Sequence, residues 1–163
     1  MSLEAHELGS FTVDLTGSKK VVLHPQKFAS DANQIDEAFK HAGINTDAVW
    51  KLDGEYRILP RDEMMECIKA AHTASETYIS DFHDCDKFAR ELWARVPFKS
   101  GCNSVGLIVN FGGQHAFNCV LVTPDTTSRD VQCLIVEPQS DGIVKIGSSP
   151  PYTLRGGEYK VIL

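Results

Sequence analysis

The chain has 163 residues, of which 42% are hydrophobic and 23% charged, a composition typical of one globular domain. The formal net charge of −6 disfavours nucleic acid or an anionic membrane as the main partner. No apolar run approaches the roughly 20 residues that span a bilayer, and the first residues lack the pattern of a secretory signal. The five cysteines have neither disulfide-framework nor zinc-type spacing, which predicts reduced thiols and a cytoplasmic protein.

We predict a single domain over residues 1–163, whose first part, residues 1–74, mixes helices and strands. The runs "FTVDL" and "KKVVLHP" predict short strands, and "SDANQIDEAFKHAGI" predicts a helix that begins after Ser30 or Asp31 and ends near Gly43. Asp53-Gly54 lies between two strand-like runs and predicts a hairpin. In "RDEMMECIKAAHTA", helical spacing places four apolar residues on one face: Met64, Cys67, Ile68 and Ala71.

The second part, residues 75–163, changes from helical to strand-like patterns. A helix is predicted to begin near Asp84. It is followed by "SVGLIVNF", "HAFNCVLVT", "VQCLIVEP", "GIVKIG" and "YKVIL", which are β-branched, apolar segments separated by Gly, Pro, Asp and Ser. This order predicts an α+β fold in which the helix packs on a C-terminal antiparallel sheet.

Cys85 lies between two aspartates at the predicted start of this helix. Residues at helical offsets from it are apolar, so Cys85 faces the surface on which the helix packs. One interpretation makes it a buried core residue. The other makes it a nucleophile, because the N-terminal end of a helix stabilises a thiolate. Asp84 and Asp86 oppose a thiolate, so the second interpretation requires a neighbouring base.

His115 and Glu137 supply a candidate base and its orienting partner. If "HAFNCVLVT" and "VQCLIVE" pair as antiparallel strands around a loop centred near Thr126, His115 lies directly opposite Glu137, and Cys119 lies opposite Cys133. An imidazole takes the proton of a thiol and later returns it to a leaving group, while a carboxylate holds its tautomer. The three residues therefore predict a Cys85–His115–Glu137 catalytic triad that cleaves an amide through a thioester.

This order of residues resembles that of the papain-like cysteine peptidase superfamily, with Cys at a helix start, His at a strand start and a polar residue on the next strand. The segments "DCDKFA", "GGQHAFNCVLV" and "LIVEPQ" are most similar to the family of papain-like domains that includes the C-terminal domain of the Marasmius oreades agglutinin and related phage and bacterial proteins. "DFHDCDKFA" resembles the NlpC/P60 branch more weakly. The position of papain's oxyanion-hole glutamine is occupied here by Ile79.

The resemblance implies a papain-like fold, a cysteine peptidase or amidase with that triad, a peptide or amide substrate, and calcium as a possible cofactor. The residues themselves indicate no cofactor and no metal: His72, His83 and Cys85 are too sparse for a zinc site, and the acidic run around Cys85 lacks the alternation of an EF-hand loop. Two alternatives stay open. In the first, the chain is a papain-like module that binds a ligand without catalysis. In the second, it is an acyl transferase similar to the transglutaminases.

Overall fold

The computed structural model describes residues 6–7, 9–15, 20–71 and 73–163, and within these ranges the chain forms three α-helices and eleven strands. The helices are α1 (Asn33–His41), α2 (Arg61–Ala71) and α3 (Cys85–Ser100). The strands are β1 (His6–Glu7), β2 (Phe11–Asp14), β3 (Lys20–Leu23), β4 (Gln26–Ala29), β5 (Val49–Trp50), β6 (Glu55–Pro60), β7 (Val105–Asn110), β8 (His115–Thr123), β9 (Gln132–Glu137), β10 (Gly142–Val144) and β11 (Tyr159–Ile162). Short 3-10 turns lie at Thr46–Ala48, Thr73–Ser75 and Pro150–Tyr152.

Most strands join one mixed sheet around β8. β7, β8, β9 and β10 are successive antiparallel neighbours, and β11 lies antiparallel to β7. Two pairings are parallel, β5 with β11 and β6 with β8, and β4 and β1 extend the sheet beyond β6. β2 and β3 form a separate hairpin. The α+β class predicted from the sequence is confirmed, but the sheet is mixed and includes N-terminal strands.

The helices cover both faces of the sheet. α1 packs on one face, where Ile35 and Phe39 join Phe117 and Leu121 in one buried cluster. α2 and α3 pack on the other face, where their apolar residues join alternate positions of the same strands; this cluster includes Met64, Ile68, Leu92, Val96, Val105, Val120 and Val122. Because side chains alternate across a strand, β8 contributes its odd-numbered residues to the α1 face and its even-numbered residues to the α3 face.

α3 runs along β7 and β8 in the same direction as β8. Ala89 packs against Ala116 near the start of β8, and its carbonyl accepts a hydrogen bond of 2.9 Å from the Asn118 amide. One to two turns later, Leu92 and Val96 pack in the cluster that contains Val120. The first residue of α3, Cys85, therefore lies at the end of the sheet where β8 begins.

The hairpin predicted at Asp53-Gly54 is wrong. β5 and β6 flank this dipeptide but do not pair with each other, since β5 pairs with β11 and β6 with β4 and β8. The Asn103 side chain holds the segment instead: its amide donates to Asp53 Oδ2 and to the Glu55 carbonyl, and its oxygen accepts from the Arg57 amide. A long-range contact thus overrides the local turn preference.

The predicted register between β8 and β9 is wrong by two residues. Cys119 lies opposite Ile135, and Cys133 lies opposite Leu121. The connecting loop is organised by Asp125, whose Oδ1 accepts hydrogen bonds from the backbone amides of Thr127 and Ser128. An even shift leaves every side chain on its predicted face, so His115 and Glu137 still share one face. No helix in the described part of the chain is long and apolar enough to cross a membrane.

Candidate ligand-binding site

His115 and Glu137 lie in contact at the end of the sheet where β8 begins. Their Nε2 and Oε2 atoms are 2.8 Å apart, and the two side chains are only 15% and 11% exposed. Since the register is shifted, His115 reaches Glu137 diagonally across the strand pair. The imidazole also stacks on Phe117, with ring centroids 5.6 Å apart, which fixes its plane on the α1 face of the sheet.

Tyr152 completes this cluster, and sequence analysis missed it. Its hydroxyl donates a 2.6 Å hydrogen bond to Glu137 Oε2, and its ring meets those of His115 and Phe117 edge to face. The tyrosine lies in the 3-10 turn Pro150–Tyr152, far from both strands in sequence. The segment "GSSPPY" is typical of a turn, and no local pattern in it points to a contact with Glu137. We refer to His115, Glu137 and Tyr152 as the polar cluster.

The polar cluster holds Glu137 as a carboxylate. Burial alone raises the pKa of this carboxyl, but hydrogen bonds from His115, Tyr152 and the Gln139 amide outweigh burial and lower the pKa. Burial and the hydrogen bond to the Glu137 carboxylate raise the pKa of Tyr152, which therefore stays a neutral donor. The imidazole and the phenol thus share one anionic acceptor.

Asn110, the last residue of β7, ties two loops together beside the polar cluster. Its buried amide donates to the carbonyls of Pro151 and Thr153, and its oxygen accepts from the Gly113 amide. Gly113 has to lack a side chain, because a Cβ there would lie 2.4 Å from the Asn110 amide nitrogen. The β7–β8 turn and the 3-10 turn are therefore one braced unit.

A polar cleft of about 320 Å³ opens between these two loops. Its lining residues are Gly112, Gly113, Gln114, Pro150, Thr153, Arg155 and Glu158. Gln114 precedes His115 and adopts a positive φ of 48°, and Thr153 follows Tyr152, so the cleft adjoins the polar cluster on both sides. Arg155 is exposed, and its guanidinium forms no hydrogen bond or ion pair with any residue of the described ranges, although its backbone carbonyl accepts from the Glu158 amide.

Cys85 lies at the same end of the sheet as the polar cluster but on α3, which covers the opposite face. It is the first helical residue, after Asp84 at the N-cap, and it is half-buried. No hydrogen bond joins its sulfur to His115, although both residues lie in the described part of the chain. The structure thus brings His115 and Glu137 into hydrogen-bond contact and places Cys85 at the same end of the sheet.

The carboxylates beside Cys85 do not fit a calcium ion. Asp84 is paired with Lys87, and Asp86 forms an ion pair of 2.8 Å with Arg90. Within the described ranges, no group of three or more His, Cys, Asp or Glu side chains is placed to hold a metal. His72, considered with His83 and Cys85 as a metal ligand, lies outside the described residues.

Comparison with known proteins identifies the fold. The sequence matches no protein-family model and no curated protein. PSL1a, solved in complex with E64, superimposes with a TM-score of 0.58 at 17% identity, over 89% of this chain and 54% of the PSL1a chain. The Polyporus squamosus lectin bound to the human-type influenza-binding epitope Neu5Acα2-6Galβ1-4GlcNAc superimposes with a TM-score of 0.55 at 17% identity, over 95% of this chain and 61% of the lectin.

These matches establish a shared fold, and the chain spans just over half the length of the structures it matches. They overturn the prediction of a papain-like cysteine peptidase or amidase that acts through a thioester, because one of these two similar structures is a lectin bound to a glycan. The prediction of a peptide or amide substrate, which followed from the peptidase prediction, is overturned as well. Whether Cys85, His115 and Glu137 are site residues is not decided by this likeness and stays a prediction.

Proposed function

We propose that the chain is a ligand-binding module and that its ligand is a carbohydrate. The observation that carries the proposal is the polar cleft braced by Asn110, beside the polar cluster. A binding site gains affinity when its polar groups are held in place before the ligand arrives, because less side-chain and loop entropy is lost on binding. Both walls of the cleft are held in place in this way, because Asn110 forms hydrogen bonds with the β7–β8 turn and with the 3-10 turn segment.

The lining of the cleft suits a hydroxyl-rich molecule. Sugar hydroxyls donate and accept hydrogen bonds together, and the cleft offers an amide from Gln114, a guanidinium from Arg155 and a carboxylate from Glu158. Phe111 adjoins the cleft and is 63% exposed, so its ring is available to an apolar face of a sugar. The structurally similar Polyporus squamosus lectin is bound to a glycan, which supports the same ligand class here.

His115, Glu137 and Cys85 belong to this proposal as residues of the site. His115 uses Nε2 for Glu137, and its Nδ1 has no hydrogen-bond partner among the described residues, so it is available to a ligand at the inner end of the cleft. We place Cys85 at the margin of the site because α3 begins at the same end of the sheet. The free cysteines also support a reducing, cytoplasmic location.

Calorimetric titration with Neu5Acα2-6Galβ1-4GlcNAc and with neutral oligosaccharides tests the proposal. We expect saturable binding that Arg155→Ala or Gln114→Ala weakens by about tenfold, the cost of about one hydrogen bond to a charged or planar polar group. Arg129→Ala is the matched control, because Arg129 is an exposed arginine in the loop at the other end of β8. Absence of saccharide binding, or equal losses in Arg155→Ala and Arg129→Ala, would contradict the proposal.

The place of Cys85 needs a separate probe. E64, the compound named with PSL1a, is added to the wild-type protein, to Cys85→Ala and to His115→Ala, and the bound fraction is measured by intact-protein mass spectrometry and calorimetry. Association that depends on both Cys85 and His115 would support a shared site. Association that is unchanged in Cys85→Ala, or no association at all, would remove Cys85 from it.

A further inference from the structure

A second cavity, of about 300 Å³, lies between α3 and the C-terminal end of the chain, away from the polar cluster. Leu52, Trp93, Pro97 and Val105 form apolar walls, and Asp53 and Asn103 supply polar side chains. We refer to it as the α3 cavity. Small-molecule sites have this character, with mostly apolar walls and a few polar groups that fix the orientation of the ligand.

Pro97 leaves a hydrogen-bond acceptor at the wall of this cavity. In an α-helix, the amide of residue 97 would donate to the carbonyl of Trp93, but proline has no N–H. The Trp93 carbonyl therefore lacks its helical partner. Trp93 and Pro97 lie one turn apart on the same side of α3, and both line the α3 cavity.

Asp53 supplies a second acceptor, and it carries a charge. Its Oδ2 accepts a 2.7 Å hydrogen bond from Asn103, which orients the carboxylate, while Oδ1 has no hydrogen-bond partner within the described part of the chain. Both hydrogens of the Asn103 amide are in use, toward Asp53 and the Glu55 carbonyl. Asp53 is also the one charged side chain among the described residues that line the cavity.

We propose that the α3 cavity binds a small organic cation, an apolar group that carries a protonated primary amine. The apolar group fills the space against Trp93 and Val105, and the ammonium donates to Asp53 Oδ1 and to the Trp93 carbonyl. The cavity does not suit an anion or a ligand that only accepts hydrogen bonds. Such a ligand would face two acceptors, Asp53 Oδ1 and the Trp93 carbonyl, while both amide hydrogens of Asn103 are already used. A charge-assisted bond to the carboxylate gives the amine its advantage over a neutral ligand of the same shape.

The test uses 2-phenylethylamine as the probe and 2-phenylethanol, its neutral analogue, as the control ligand, both titrated at pH 7 and followed by amide and indole chemical shifts. We expect shifts that centre on Trp93 and Asn103, and binding of the amine that is about tenfold tighter than that of the alcohol. Equal affinities, or shifts that map elsewhere, would overturn the proposal.

Two variants locate the site without removing any group of the polar cluster. Asp53→Asn keeps the shape of the side chain and should weaken amine binding by about tenfold while leaving alcohol binding unchanged. Glu55→Gln is its matched control, an exposed carboxylate close in sequence whose side chain pairs with Lys27. Ala94→Leu fills the cavity from a helical position and should abolish binding of both ligands. Amine binding that survives Ala94→Leu, or that Asp53→Asn and Glu55→Gln affect equally, would overturn the proposal.

Discussion

Glu137 is the residue on which the polar cluster depends, because it accepts hydrogen bonds from an imidazole, a phenol and a backbone amide. A carboxylate whose side chain is only 11% exposed is costly to bury unless its lone pairs are occupied. These three donors offset that cost. Removal of one donor would leave a partly unsatisfied buried anion, so the cluster is sensitive to each of its members.

The lowered pKa of Glu137 predicts a loss of stability in acid. In the unfolded chain its pKa is about 4.3. Since the folded value is lower, the ionised side chain contributes stability that is fully present above the unfolded pKa and is lost as the pH falls through the folded pKa. We expect Glu137→Gln to be less stable than the wild type at pH 7 and to lose less stability between pH 5 and pH 2. Urea unfolding at several pH values measures this, and parallel pH profiles for the two proteins would contradict it.

The environments of the five cysteines predict that Cys85 is alkylated first. Burial raises the pKa of Cys67 to about 12 and that of Cys102 to about 11, and both side chains are inaccessible. Cys133 is half-buried, as Cys85 is, but its hydrogen bond with Cys119 and its burial raise its pKa well above the ordinary value. Thiolates are the reactive form, so these thiols react slowly.

A time course of iodoacetamide labelling at pH 8, with peptide mapping, measures the order of modification. Cys85 should be modified at least about tenfold faster than Cys67 or Cys102, because its side chain is half-buried while theirs are fully buried with raised pKa values. Cys85→Ser should leave the remaining four thiols slow. Faster modification of Cys133 than of Cys85 would contradict the assigned environments.

At the scale of elements, local patterns predicted most of the fold. The five C-terminal strands, the buried face of α2 and the start of α3 at Cys85 follow from apolar periodicity and turn residues, and each is confirmed. α1 also forms but begins at Asn33 after Ala32, without a side-chain cap from Ser30 or Asp31. Predictions failed where distant residues decide the outcome, as Asn103 does at Asp53-Gly54.

The candidate site could also be predicted only where local patterns determine it. Strand alternation put His115 and Glu137 on one face, and this survived the register error because the shift is even. Tyr152 and Asn110 could not be found, since their contacts join segments separated by 15 and 41 residues. The face of the sheet that α3 covers is likewise decided by tertiary contacts and not by local sequence.

Gly106 in β7 is predicted to be a position that accepts no side chain. It lies opposite Cys119, and a Cβ there would be 2.6 Å from the Cys119 sulfur and 3.1 Å from the Ile162 carbonyl. Both neighbours belong to paired strands and cannot move freely. Gly106→Ala should therefore destabilise the protein by about 1–3 kcal/mol, as overpacking of a core does.

Gly54→Ala is the control, because nothing lies within 4 Å of a Cβ at that position and no positive φ strains it. We expect it to change stability little, or to raise it by about 0.4–1 kcal/mol through the unfolded chain. Thermal and urea unfolding of the two variants measures the change in the free energy of unfolding that each substitution causes. Similar effects at both glycines would show that strand packing at Gly106 is looser than the contacts indicate.

At the scale of the whole molecule, one sheet separates two apolar clusters. The α1 cluster contains Ile35, and the cluster under α2 and α3 contains Ile68, and both side chains are fully buried. β8 contributes alternate residues to each cluster, so neither can lose its packing without exposing one face of the same strand. The chain should therefore unfold as one unit, which is also what the prediction of a single domain over residues 1–163 requires.

Ile35→Val and Ile68→Val test this cooperativity with the same small change on opposite faces of the sheet. Each removes one buried methylene and should lower the free energy of unfolding by about 0.5–1.5 kcal/mol. Because the two sites share no partner, the double variant should show the sum of the two losses. Far-ultraviolet circular dichroism and tryptophan fluorescence should give one coincident urea transition in all four proteins, with an unchanged slope. A variant that shifts one probe's transition and leaves the other in place would show that the two faces unfold separately, and the chain would then contain two cooperative units on a common sheet.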